Sequence, residues 1–464
     1  MSSAARIAAS RAGEIVGPAN VIDGADELAG YEVDGLRPGA AVRPGTAEEV
    51  SELVKYAAAE KLAVIPMGAR TKLDIGMPAA RYDLAIDMTR MDRVISYDPG
   101  DLTLSVEPGI PLTKLAATLA EHKQFLPLAV PFFERATVGG TLASGVDSPL
   151  RHAYGTAREF VLGLEFVSGD GALTKSGGRV VKNVSGYDLH KLMLGGIGSL
   201  GIVTRVNFKT FPRPTPARGF FAAFETMEKA LELWQRIMSS KLSPLTLDLG
   251  SPGTAELFSS ATAAKIVPEA VTADLPARGK WTISAGFWGS TDVSARYERD
   301  LRQMATDCSA TRIDIIGEDE IPGQLGRKRE FIPIVSALSP GAVVMKLSVR
   351  ASQLRGAQTE ARNIVAGAPI DYATLTNGAG VIYFAMLPRR AGDAAQACRQ
   401  AAGQIMKAIT ALGGYATIVR CPLELKREIS VWGVPREDFP LMQRVKRAFD
   451  PYNIFAPGRF IGGI

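Results

Sequence analysis

The chain has 464 residues, 46% of them hydrophobic, so it can bury a large core, and its length predicts two or three domains. The net charge of +5 is carried by dispersed basic residues, which argues against nucleic-acid binding. The sequence has neither the about 18 consecutive apolar residues of a membrane span nor the apolar region of a signal peptide. Together with only three cysteines, this predicts a cytoplasmic protein that is either soluble or peripheral to the inner membrane through partner subunits.

The first half of the chain alternates helical and strand patterns. A helix is predicted after Thr46, which forms a capping box with Glu49 and precedes apolar residues at helical spacing. Strands are predicted at LAVI, DLAID and LTLSVEP, a second helix from Pro111 to about His122, and a hairpin at VLGLEFVSGDGALTK. This region is therefore predicted to be an α+β domain.

Three glycine-rich segments in this half have the composition of anion-binding loops: PMGARTK (66–72), TVGGTLASG (137–145) and GGIGSLGIVT (195–204). Glycine lets a ligand approach the main chain, so N–H groups of the second segment can point at one anion. The hydroxyls of Thr137, Thr141 and Ser144 add further donors. A single loop of this kind is as often an ordinary turn that opens a helix. The three together predict a large nucleotide cofactor with a pyrophosphate.

Gly196, Gly198 and Gly201 match the pattern G-x-G-x-x-G, but in the wrong context. A Rossmann fingerprint follows a strand and opens a helix, whereas these glycines follow the helical pattern DLHKLML and precede the strand pattern IVTRVNFKTF. No P-loop pattern is present either. The predicted nucleotide site is therefore neither of these two common types.

A second region begins after the proline-rich break FPRPTPARG (211–219). It contains the strand patterns GFFAAF, LTLDLG, WTISAGFWG, TRIDII, AVVMKLSV, GVIYFAML and YATIVR, with helical patterns between them. Repeated strand–helix–strand units of this kind predict an antiparallel sheet backed by helices, in the ferredoxin-like manner.

The order of the glycine-rich segments, together with VRPGTAEEVSELVKYAAAEKLAVIPMGARTK and the ending RVKRAFDPYNIFAPGRFIGGI, resembles the vanillyl-alcohol oxidase and p-cresol methylhydroxylase superfamily. Within it, NVSGYDLHKLMLGGIGSLG and GGYATIVR are most similar to the E subunits of bacterial glycolate oxidase, also called glycolate dehydrogenase. The resemblance implies an α+β fold: a two-lobed FAD-binding domain with an antiparallel-sheet, ferredoxin-like cap domain. It also implies FAD bound in an elongated pose.

This resemblance divides the chain into four parts. They are an N-terminal extension (1–36), the FAD-binding domain (37–216), the cap or substrate domain (217–425) and a C-terminal segment that returns to the FAD domain (426–464).

The resemblance also implies which residues contact FAD, through the first two glycine-rich loops and through main-chain groups of the third. Attachment is predicted to be non-covalent, because the first loop contains neither His nor Cys. The implied FAD-binding residues are Pro66, Met67, Gly68, Ala69, Arg70, Thr71, Lys72, Pro131, Thr137, Val138, Gly139, Gly140, Thr141, Ser144, Gly145, Gly155, Gly201, Ile202 and Arg459.

The chemistry that the resemblance implies is oxidation of a small D-2-hydroxy acid, glycolate or D-lactate, to a 2-oxo acid. This reaction needs a cation that holds the substrate carboxylate, and the fork of arginine suits that role. Arg327, Arg329 and Arg420 are the candidates, against the alternative that they are solvated surface charges. His152 is interpreted as a packing residue rather than a catalytic base. No metal is predicted, because the cap lacks the histidine motif of related hydroxy-acid dehydrogenases.

Partner subunits are predicted because Cys308, Cys398 and Cys421 are too few and too scattered to bind an iron–sulfur cluster. Two functions stay open. In the first, the chain oxidises a 2-hydroxy acid and passes electrons to an iron–sulfur partner subunit. In the second, it is a non-catalytic flavin-carrying or scaffolding subunit, and a second flavin subunit of the same complex oxidises the substrate.

Overall fold

The computed structural model describes residues 3–179, 186–268 and 277–464, with side chains omitted for 3–9 and 391–394. The start of the NVSGYDLHK motif, residues 183–185, lies outside these ranges. Two sheets of the FAD-binding half and one large antiparallel sheet of the cap half make up most of the fold. The α+β class and the two-part architecture expected from the sequence are confirmed.

The first lobe is a four-stranded sheet in the order β1-β2-β4-β3, parallel except for β1. Its strands and helices are α1 (Ser3–Val16), β1 (Val21–Ile22), α2 (Ala25–Leu28), β2 (Ala40–Val42), α3 (Ala47–Ala59), β3 (Val64–Met67) and β4 (Leu84–Asp87). Helix α3 begins where Thr46 Oγ1 accepts the N–H of Glu49. In the predicted capping box, Glu49 would accept the N–H of Thr46. Its carboxylate instead accepts the N–H of Gly45, one residue earlier in the chain. Residues from the N-terminal 36 join this lobe, since Ala12 and Val16 are buried in its core.

The second lobe is a five-stranded antiparallel sheet in the order β5-β6-β10-β8-β9. Its elements are β5 (Val94–Asp98), β6 (Thr103–Val106), α4 (Leu112–Ala120), β7 (Gln124–Phe125), α5 (Val138–Ser144), α6 (Arg151–Tyr154), α7 (Ala157–Phe160), β8 (Val161–Val167), β9 (Leu173–Gly177), α8 (His190–Met193), β10 (Ile202–Lys209) and β11 (Phe211–Pro212). The hairpin β8–β9 and helix α4 confirm two sequence predictions. Short strands β7 and β11 pair with each other beside the main sheet.

The cap contains one eight-stranded antiparallel sheet in the order β15-β12-β14-β13-β17-β18-β16-β19. Its strands are β12 (Ala217–Phe224), β13 (Thr246–Gly250), β14 (Trp281–Trp288), β15 (Arg312–Ile316), β16 (Val343–Ser348), β17 (Ile370–Asn377), β18 (Val381–Pro388) and β19 (Tyr415–Arg420). The order of its two halves is that of two ferredoxin-like units, joined where β13 pairs with β17. The sequence analysis does not predict β17, because polar residues interrupt its apolar strand pattern. It therefore does not predict that the two units join into one sheet.

The helices of the cap lie on both faces of this sheet. They are α9 (Met227–Ser239), α10 (Pro252–Phe258), α11 (Ala261–Ile266), α12 (Thr291–Asp307), α13 (Ile321–Arg329), α14 (Phe331–Leu338), α15 (Leu354–Val365) and α16 (Ala391–Ala411). On β13, Leu247 and Leu249 pack into the apolar core with α9 and α12. Because side chains alternate along a strand, Asp248 points to the opposite face, which α10, α13 and α14 and the FAD-binding domain cover.

The C-terminal segment returns to the first lobe after α17 (Leu423–Lys426) and α18 (Phe439–Phe449). Ile454 and Phe455 are buried in the core of that lobe. The main chain lies beside β3, since the N–H of Val64 donates to the carbonyl of Ile454 at 2.7 Å and Ala456 donates back to Val64 at 2.8 Å. The chain therefore closes on the strand that leads into the first glycine-rich loop.

Candidate active site

The loop after β3 presents a run of unused main-chain donors. Among the described residues, the N–H groups of residues 68–72 form no hydrogen bond. Gly68 lies against Thr137: a Cβ on Gly68 would come within 2.1 Å of Thr137 Oγ1. The left-handed conformation of Arg70, with φ of 60°, bends the loop. Consecutive free N–H groups in a turning loop form a binding place for an anion such as a pyrophosphate.

The start of helix α5 contributes less to such a cradle than the sequence suggested. The N–H groups of Val138 and Gly139 donate to main-chain carbonyls of Ile110 and Pro108, and the N–H of Gly140 donates to Thr137 Oγ1. The prediction that the N–H groups of the second glycine-rich loop point at the anion is therefore wrong for these three residues. Thr137 instead acts as the N-cap that closes the first turn of α5.

A cleft runs between the three glycine-rich segments, and we call it the loop cleft. It has a volume of about 560 Å³, counted together with the solvent at its mouth. Of the sequence-predicted residues it brings together Pro66, Met67, Gly68, Thr137, Gly139, Gly140, Gly201 and Ile202. Gly198 belongs to the G-x-G-x-x-G pattern and is not among the predicted FAD-binding residues, but it also lines the cleft. It packs on Pro66, and a Cβ on Gly198 would lie 2.6 Å from Pro66 Cγ. The cleft is thus formed mainly by backbone that glycine allows to come close.

A second cleft, which we call the helix cleft, lies along α5 and is lined by three further predicted residues, Thr141, Gly145 and Gly155. The hydroxyl of Thr141 is buried and has no hydrogen-bond partner in the described chain. A buried hydroxyl without a partner is unusual in a folded protein and fits a site that a polar ligand completes. Asp147 and Lys346 also line this cleft, so it extends to the cap sheet.

A third cleft separates the FAD-binding domain from the cap, and we call it the interdomain cleft. Pro131, Asp147, Ser148 and Pro149 line it from the FAD-binding side, and Asp248, Lys328, Arg329, Asn377 and Tyr383 line it from the cap. It thus brings together the predicted residues Pro131 and Arg329, which lie almost 200 positions apart in sequence. This is the place where a flavin held by the FAD-binding domain and a substrate held by the cap could meet.

One buried ion pair lines the interdomain cleft, and a second joins it to the helix cleft, since Asp147 lines both clefts and Lys346 lines the helix cleft. Lys328 Nζ lies 2.6 Å from Asp248 Oδ2, and Lys346 Nζ lies 2.6 Å from Asp147 Oδ2. Burial raises the pKa of Asp248, and the neighbouring ammonium of Lys328 opposes that shift. Burial likewise raises the pKa of Tyr383 well above its usual value, so the phenol, which hydrogen-bonds to Asp147, stays protonated. The cleft thus combines two carboxylates, one ammonium group, one guanidinium group and a phenol.

The three candidate arginines lie in different places. Arg329 lines the interdomain cleft, where Glu330 accepts from its Nε at 3.1 Å and its guanidinium lies 4.7 Å from the Phe133 ring centroid. Arg327 is buried in a separate cavity within the cap. Arg420 is paired with Asp74, in the segment that follows the first glycine-rich loop, and lines none of these clefts. Of the three, only Arg329 lines the interdomain cleft, whereas Arg420 contacts the FAD-binding domain through its ion pair with Asp74.

Several residues expected to contact FAD have other roles in the structure. Arg459 is 3% exposed, and its guanidinium donates to the carbonyls of Leu73 and Ile75, so it holds the end of the first loop. Arg70 turns away to Asp87, 3.7 Å distant, and stacks over Tyr31. These two arginines therefore shape the loop rather than line the clefts.

The remaining predicted residues stay close to the clefts without lining them. The side chain of Val138 is buried in the core of the second lobe. Ser144 donates to the carbonyl of Thr141. Ala69 and Thr71 belong to the loop with free N–H groups, and Thr71 Oγ1 lies 3.3 Å from Lys72 Nζ. Burial lowers the pKa of Lys72 to about 8, although nearby acidic groups oppose the shift.

The sequence does not single out four groups that line the interdomain cleft, Asp147, Asp248, Lys328 and Tyr383, nor Lys346, which pairs with Asp147. A signal existed for Asp248, because an acidic residue inside the buried strand pattern LTLDLG is unusual. Lys328 stands between the two candidate arginines in GRKRE, but only the helix geometry shows that it lies beside Asp248. In the described ranges, acidic, His and Cys side chains form no group of three or more that could bind a metal. Across the same ranges, helices with the length and apolar character to cross a bilayer are absent.

Comparisons with known proteins agree with this geometry. A family model described as "FAD binding domain" matches residues 38–177, and one described as "FAD linked oxidases, C-terminal domain" matches residues 213–460. Glycolate oxidase subunit GlcD of Bacillus subtilis (strain 168) is 24% identical over 457 residues, which cover 96% of this chain and 95% of that protein. Glycolate oxidase subunit GlcE of Escherichia coli (strain K12) is 35% identical over 187 residues, covering 40% of this chain and 53% of that protein.

The fold is shared with p-cresol methylhydroxylase solved with substrate bound, at a TM-score of 0.78 and 18% identity, covering 99% of this chain and 97% of that one. The similarity to GlcD spans far more of the chain than the similarity to GlcE, so the narrower resemblance to the E subunits is not confirmed. The fold type and the FAD cofactor expected from the sequence are confirmed. Since the second family model alone matches more than half of the chain, this protein belongs to the FAD-linked oxidases and is an FAD-dependent oxidoreductase.

Proposed function

We propose that this chain oxidises a small 2-hydroxy acid, glycolate or D-lactate, to the corresponding 2-oxo acid. The observation that carries the proposal is the interdomain cleft, where cations and a buried carboxylate of the cap face the FAD-binding domain. Both glycolate oxidase subunits among its relatives support this substrate class. The reaction needs a group that holds the carboxylate and a group that accepts the hydroxyl proton, and the cleft offers both.

The residues present fit FAD. Free N–H groups of residues 68–72 suit the pyrophosphate, the glycines of the loop cleft leave room for the dinucleotide, and the unpartnered hydroxyl of Thr141 offers a further polar contact. The sequence-predicted residues Gly145 and Gly155 would hold the cofactor along the helix cleft. The chemistry that FAD supplies when bound is acceptance of a hydride from the carbon that carries the hydroxyl.

The chain's own residues divide the remaining tasks. Arg329 and Lys328 bind and orient the substrate carboxylate, because both line the cleft and carry positive charge. Asp248 accepts the hydroxyl proton, since burial raises its pKa and so makes it a stronger base than an exposed carboxylate, although the ammonium of Lys328, 2.6 Å away, opposes that shift. Tyr383 and the apolar residues Phe331, Ile332 and Leu375 form the boundary of the cleft and limit water around the reacting atoms.

The test is anaerobic addition of glycolate or D-lactate to the purified holoprotein while flavin absorbance is followed. Bleaching of the flavin band by either acid supports the proposal. A yellow protein that neither acid bleaches, although dithionite does, overturns it. The matched control is the L-enantiomer of lactate, which places the hydrogen on the wrong side of the carbon and should reduce the flavin far more slowly.

We further propose that electrons leave the flavin for an iron–sulfur partner subunit, with a second flavin subunit in the same complex. The three cysteines are buried in the apolar core clusters of the cap, and burial raises their pKa values, which disfavours the thiolate form that metal binding needs. Association with the inner membrane through those partners belongs to the same proposal. Co-purification of the tagged chain from its native host, followed by iron analysis, tests it, and a chain recovered without iron or partner subunits contradicts it.

The second candidate is a flavin-carrying or scaffolding subunit whose partner oxidises the substrate. The observation that favours it is the 35% identity to subunit GlcE, which exceeds the identity to GlcD although it covers less of the chain. In that case the isolated holoprotein would retain FAD but would not be bleached by 2-hydroxy acids. Bleaching restored by adding the second flavin subunit would establish this role.

A further inference from the structure

Glu330 joins the cap to the FAD-binding domain from behind the interdomain cleft. It lies where helix α13 ends and α14 begins, and it is only 4% exposed. Its carboxylate accepts the main-chain N–H of Phe132 at 2.8 Å and that of Phe133 at 3.2 Å. Both donors belong to the FAD-binding domain, 198 and 197 positions earlier in the chain. A buried carboxylate of the cap therefore holds a segment of the other domain.

The segment that Glu330 holds has an unusual backbone, and we call its residues 131–135 the PFFER turn. Phe132 has a φ of 60°, a left-handed conformation that a bulky residue rarely adopts unless its surroundings fix it. The turn also closes on itself, because the carbonyl of Phe132 accepts two N–H groups from later residues of the segment. The hydrogen bonds to Glu330 thus help to fix a strained turn whose first residue, Pro131, lines the interdomain cleft.

The same carboxylate also orients Arg329. Glu330 Oε1 accepts from Arg329 Nε at 3.1 Å, and the guanidinium lies 4.7 Å from the ring centroid of Phe133. Glu134, whose side chain is 68% exposed, lies 3.5 Å from Nη2 in a longer contact. A guanidinium carries N–H groups on Nε and on both terminal nitrogens. With Nε paired to Glu330, the edge formed by the two terminal nitrogens is the one that suits bidentate binding of a carboxylate.

We propose that Glu330 is a positioning residue, which fixes Arg329 in the interdomain cleft by tying it to the PFFER turn. This inference rests on the proposed function, in which Arg329 binds the substrate carboxylate. Glu330 is not among the residues that line the cleft, so it acts through Arg329 and does not touch the substrate. The substrate then meets a guanidinium whose direction is already set, and binding does not have to order that long side chain.

The experiment uses Glu330→Gln in the holoenzyme, because glutamine keeps the shape but loses the charge and one of the two acceptors. Pyruvate and glyoxylate, the 2-oxo acid products, are titrated by their effect on the flavin spectrum, and reduction by D-lactate is followed anaerobically. The dissociation constants should rise about tenfold, since a charged hydrogen bond that orients the arginine is lost. The limiting rate of flavin reduction should stay within about threefold, because the proton acceptor Asp248 is unchanged.

A double-mutant cycle distinguishes positioning from a general loss of packing. Arg329→Met should weaken product binding more than Glu330→Gln does. Adding Glu330→Gln to Arg329→Met should then change the dissociation constant by less than about twofold, because a residue that acts through Arg329 has nothing left to orient. Where binding does not saturate, the slope of the reduction rate against D-lactate concentration replaces the dissociation constant. The control Glu360→Gln, at an exposed position of α15, should keep the wild-type values.

Wild-type binding in Glu330→Gln overturns the inference and leaves the proposed function standing. An effect of equal size with and without Arg329 overturns it as well, because it shows a purely structural role. Should Glu330→Gln fail to retain FAD, the cycle is run with Glu330→Asp, which keeps the charge but draws the carboxylate back by one methylene, and the same two outcomes decide. If no 2-hydroxy acid reduces the flavin of the wild-type protein, the proposed function fails and the inference fails with it.

Discussion

The cofactor side and the substrate side of this protein are built differently. The loop cleft is shaped by close approach of backbone from three glycine-rich segments. A Cβ on Gly68 would collide with Thr137, and a Cβ on Gly198 would collide with Pro66. The interdomain cleft is lined by charged and polar side chains from positions as distant in sequence as Asp147 and Tyr383. The first kind of site requires particular residue types in a short segment, whereas the second requires only that distant charges meet.

This difference has a consequence for how each side responds to substitution. A cofactor site made from backbone should be sensitive to added volume and insensitive to changes of charge. A substrate site made from buried, paired charges should be sensitive to loss of a single charge at constant volume. Each of the following predictions tests one side of this comparison.

The largest effect is expected for Asp248→Asn, which keeps the volume but removes the proposed proton acceptor. The rate of flavin reduction at saturating substrate should fall by about 100- to 1000-fold, the range of a lost general base. Stopped-flow absorbance measures it. FAD content should stay normal, because the loop cleft does not include this residue. The control Asp371→Asn changes an exposed partner of Arg389 and should leave the rate unchanged. If the rate of flavin reduction in Asp248→Asn stays within about fivefold of the wild-type rate, Asp248 is not the proton acceptor.

Gly140→Val should lower FAD affinity by about 100-fold or more, equivalent to roughly 2.7 kcal/mol. A Cβ here meets only Thr137 Oγ1, at 3.2 Å, so the protein tolerates it, but the branched side chain fills the loop cleft. FAD titration followed by fluorescence quenching measures the loss, and circular dichroism checks the fold. Gly30→Val, at a position with no atom within 4 Å of the added Cβ, is the matched control. Normal FAD content in folded Gly140→Val would disprove the placement of the cofactor.

Lys72 is the titratable cation of the cofactor side. Its pKa is lowered to about 8 in the protein without FAD, and an anionic cofactor favours the protonated form. FAD binding should therefore take up a proton above pH 8, and affinity should fall as pH rises through about 8, by no more than about tenfold for each pH unit. Lys72→Met should abolish this dependence, while Lys114→Met, at an exposed lysine, should retain it. An unchanged slope in Lys72→Met would place Lys72 away from the cofactor.

The smallest effect concerns His152, on the short helix α6 between the two sides. Burial lowers its pKa, with the nearby Asp248 carboxylate opposing the shift, so the folded protein favours the neutral ring. Between the lowered pKa and about 6.5 the unfolded chain binds the proton more tightly, so stability should decrease as pH falls below about 6.5. The contribution stays below about 1.4 kcal/mol for each pH unit. Urea unfolding of His152→Gln should show a shallower pH dependence than that of the control His122→Gln. Identical slopes would show that His152 titrates as in the unfolded chain.

The sequence predicted the FAD cofactor and glycine-rich segments that line one cleft, because local chemistry encodes them. Glycines that permit close backbone approach leave a pattern within about ten residues, and in the first loop the strand β3 leads directly into them. It assigned the N–H groups of Val138 and Gly139 incorrectly, because their partners, the carbonyls of Ile110 and Pro108, lie some 30 residues earlier. Which donors stay free is a question of packing, and no local pattern answers it.

On the substrate side the sequence supplied candidate charges but could not arrange them. The sequence does not distinguish Arg329 from Arg420, because both are arginines near predicted strands or helices of the cap. In the structure, Arg420 pairs with Asp74, and only Arg329 lines the interdomain cleft. Their places in the cap differ, since Arg329 ends helix α13, which covers a face of the sheet, whereas Arg420 ends the edge strand β19.

By itself, then, the sequence determined the family of FAD-linked oxidases, the FAD cofactor and the three glycine-rich segments, because these depend on residue type and short-range order. The tertiary structure alone decided which loop keeps its donors free and how the buried Lys328–Asp248 pair forms. The physical reason is that buried charge and cavity shape depend on long-range contacts, and the energies of such contacts appear only when distant segments exclude water together.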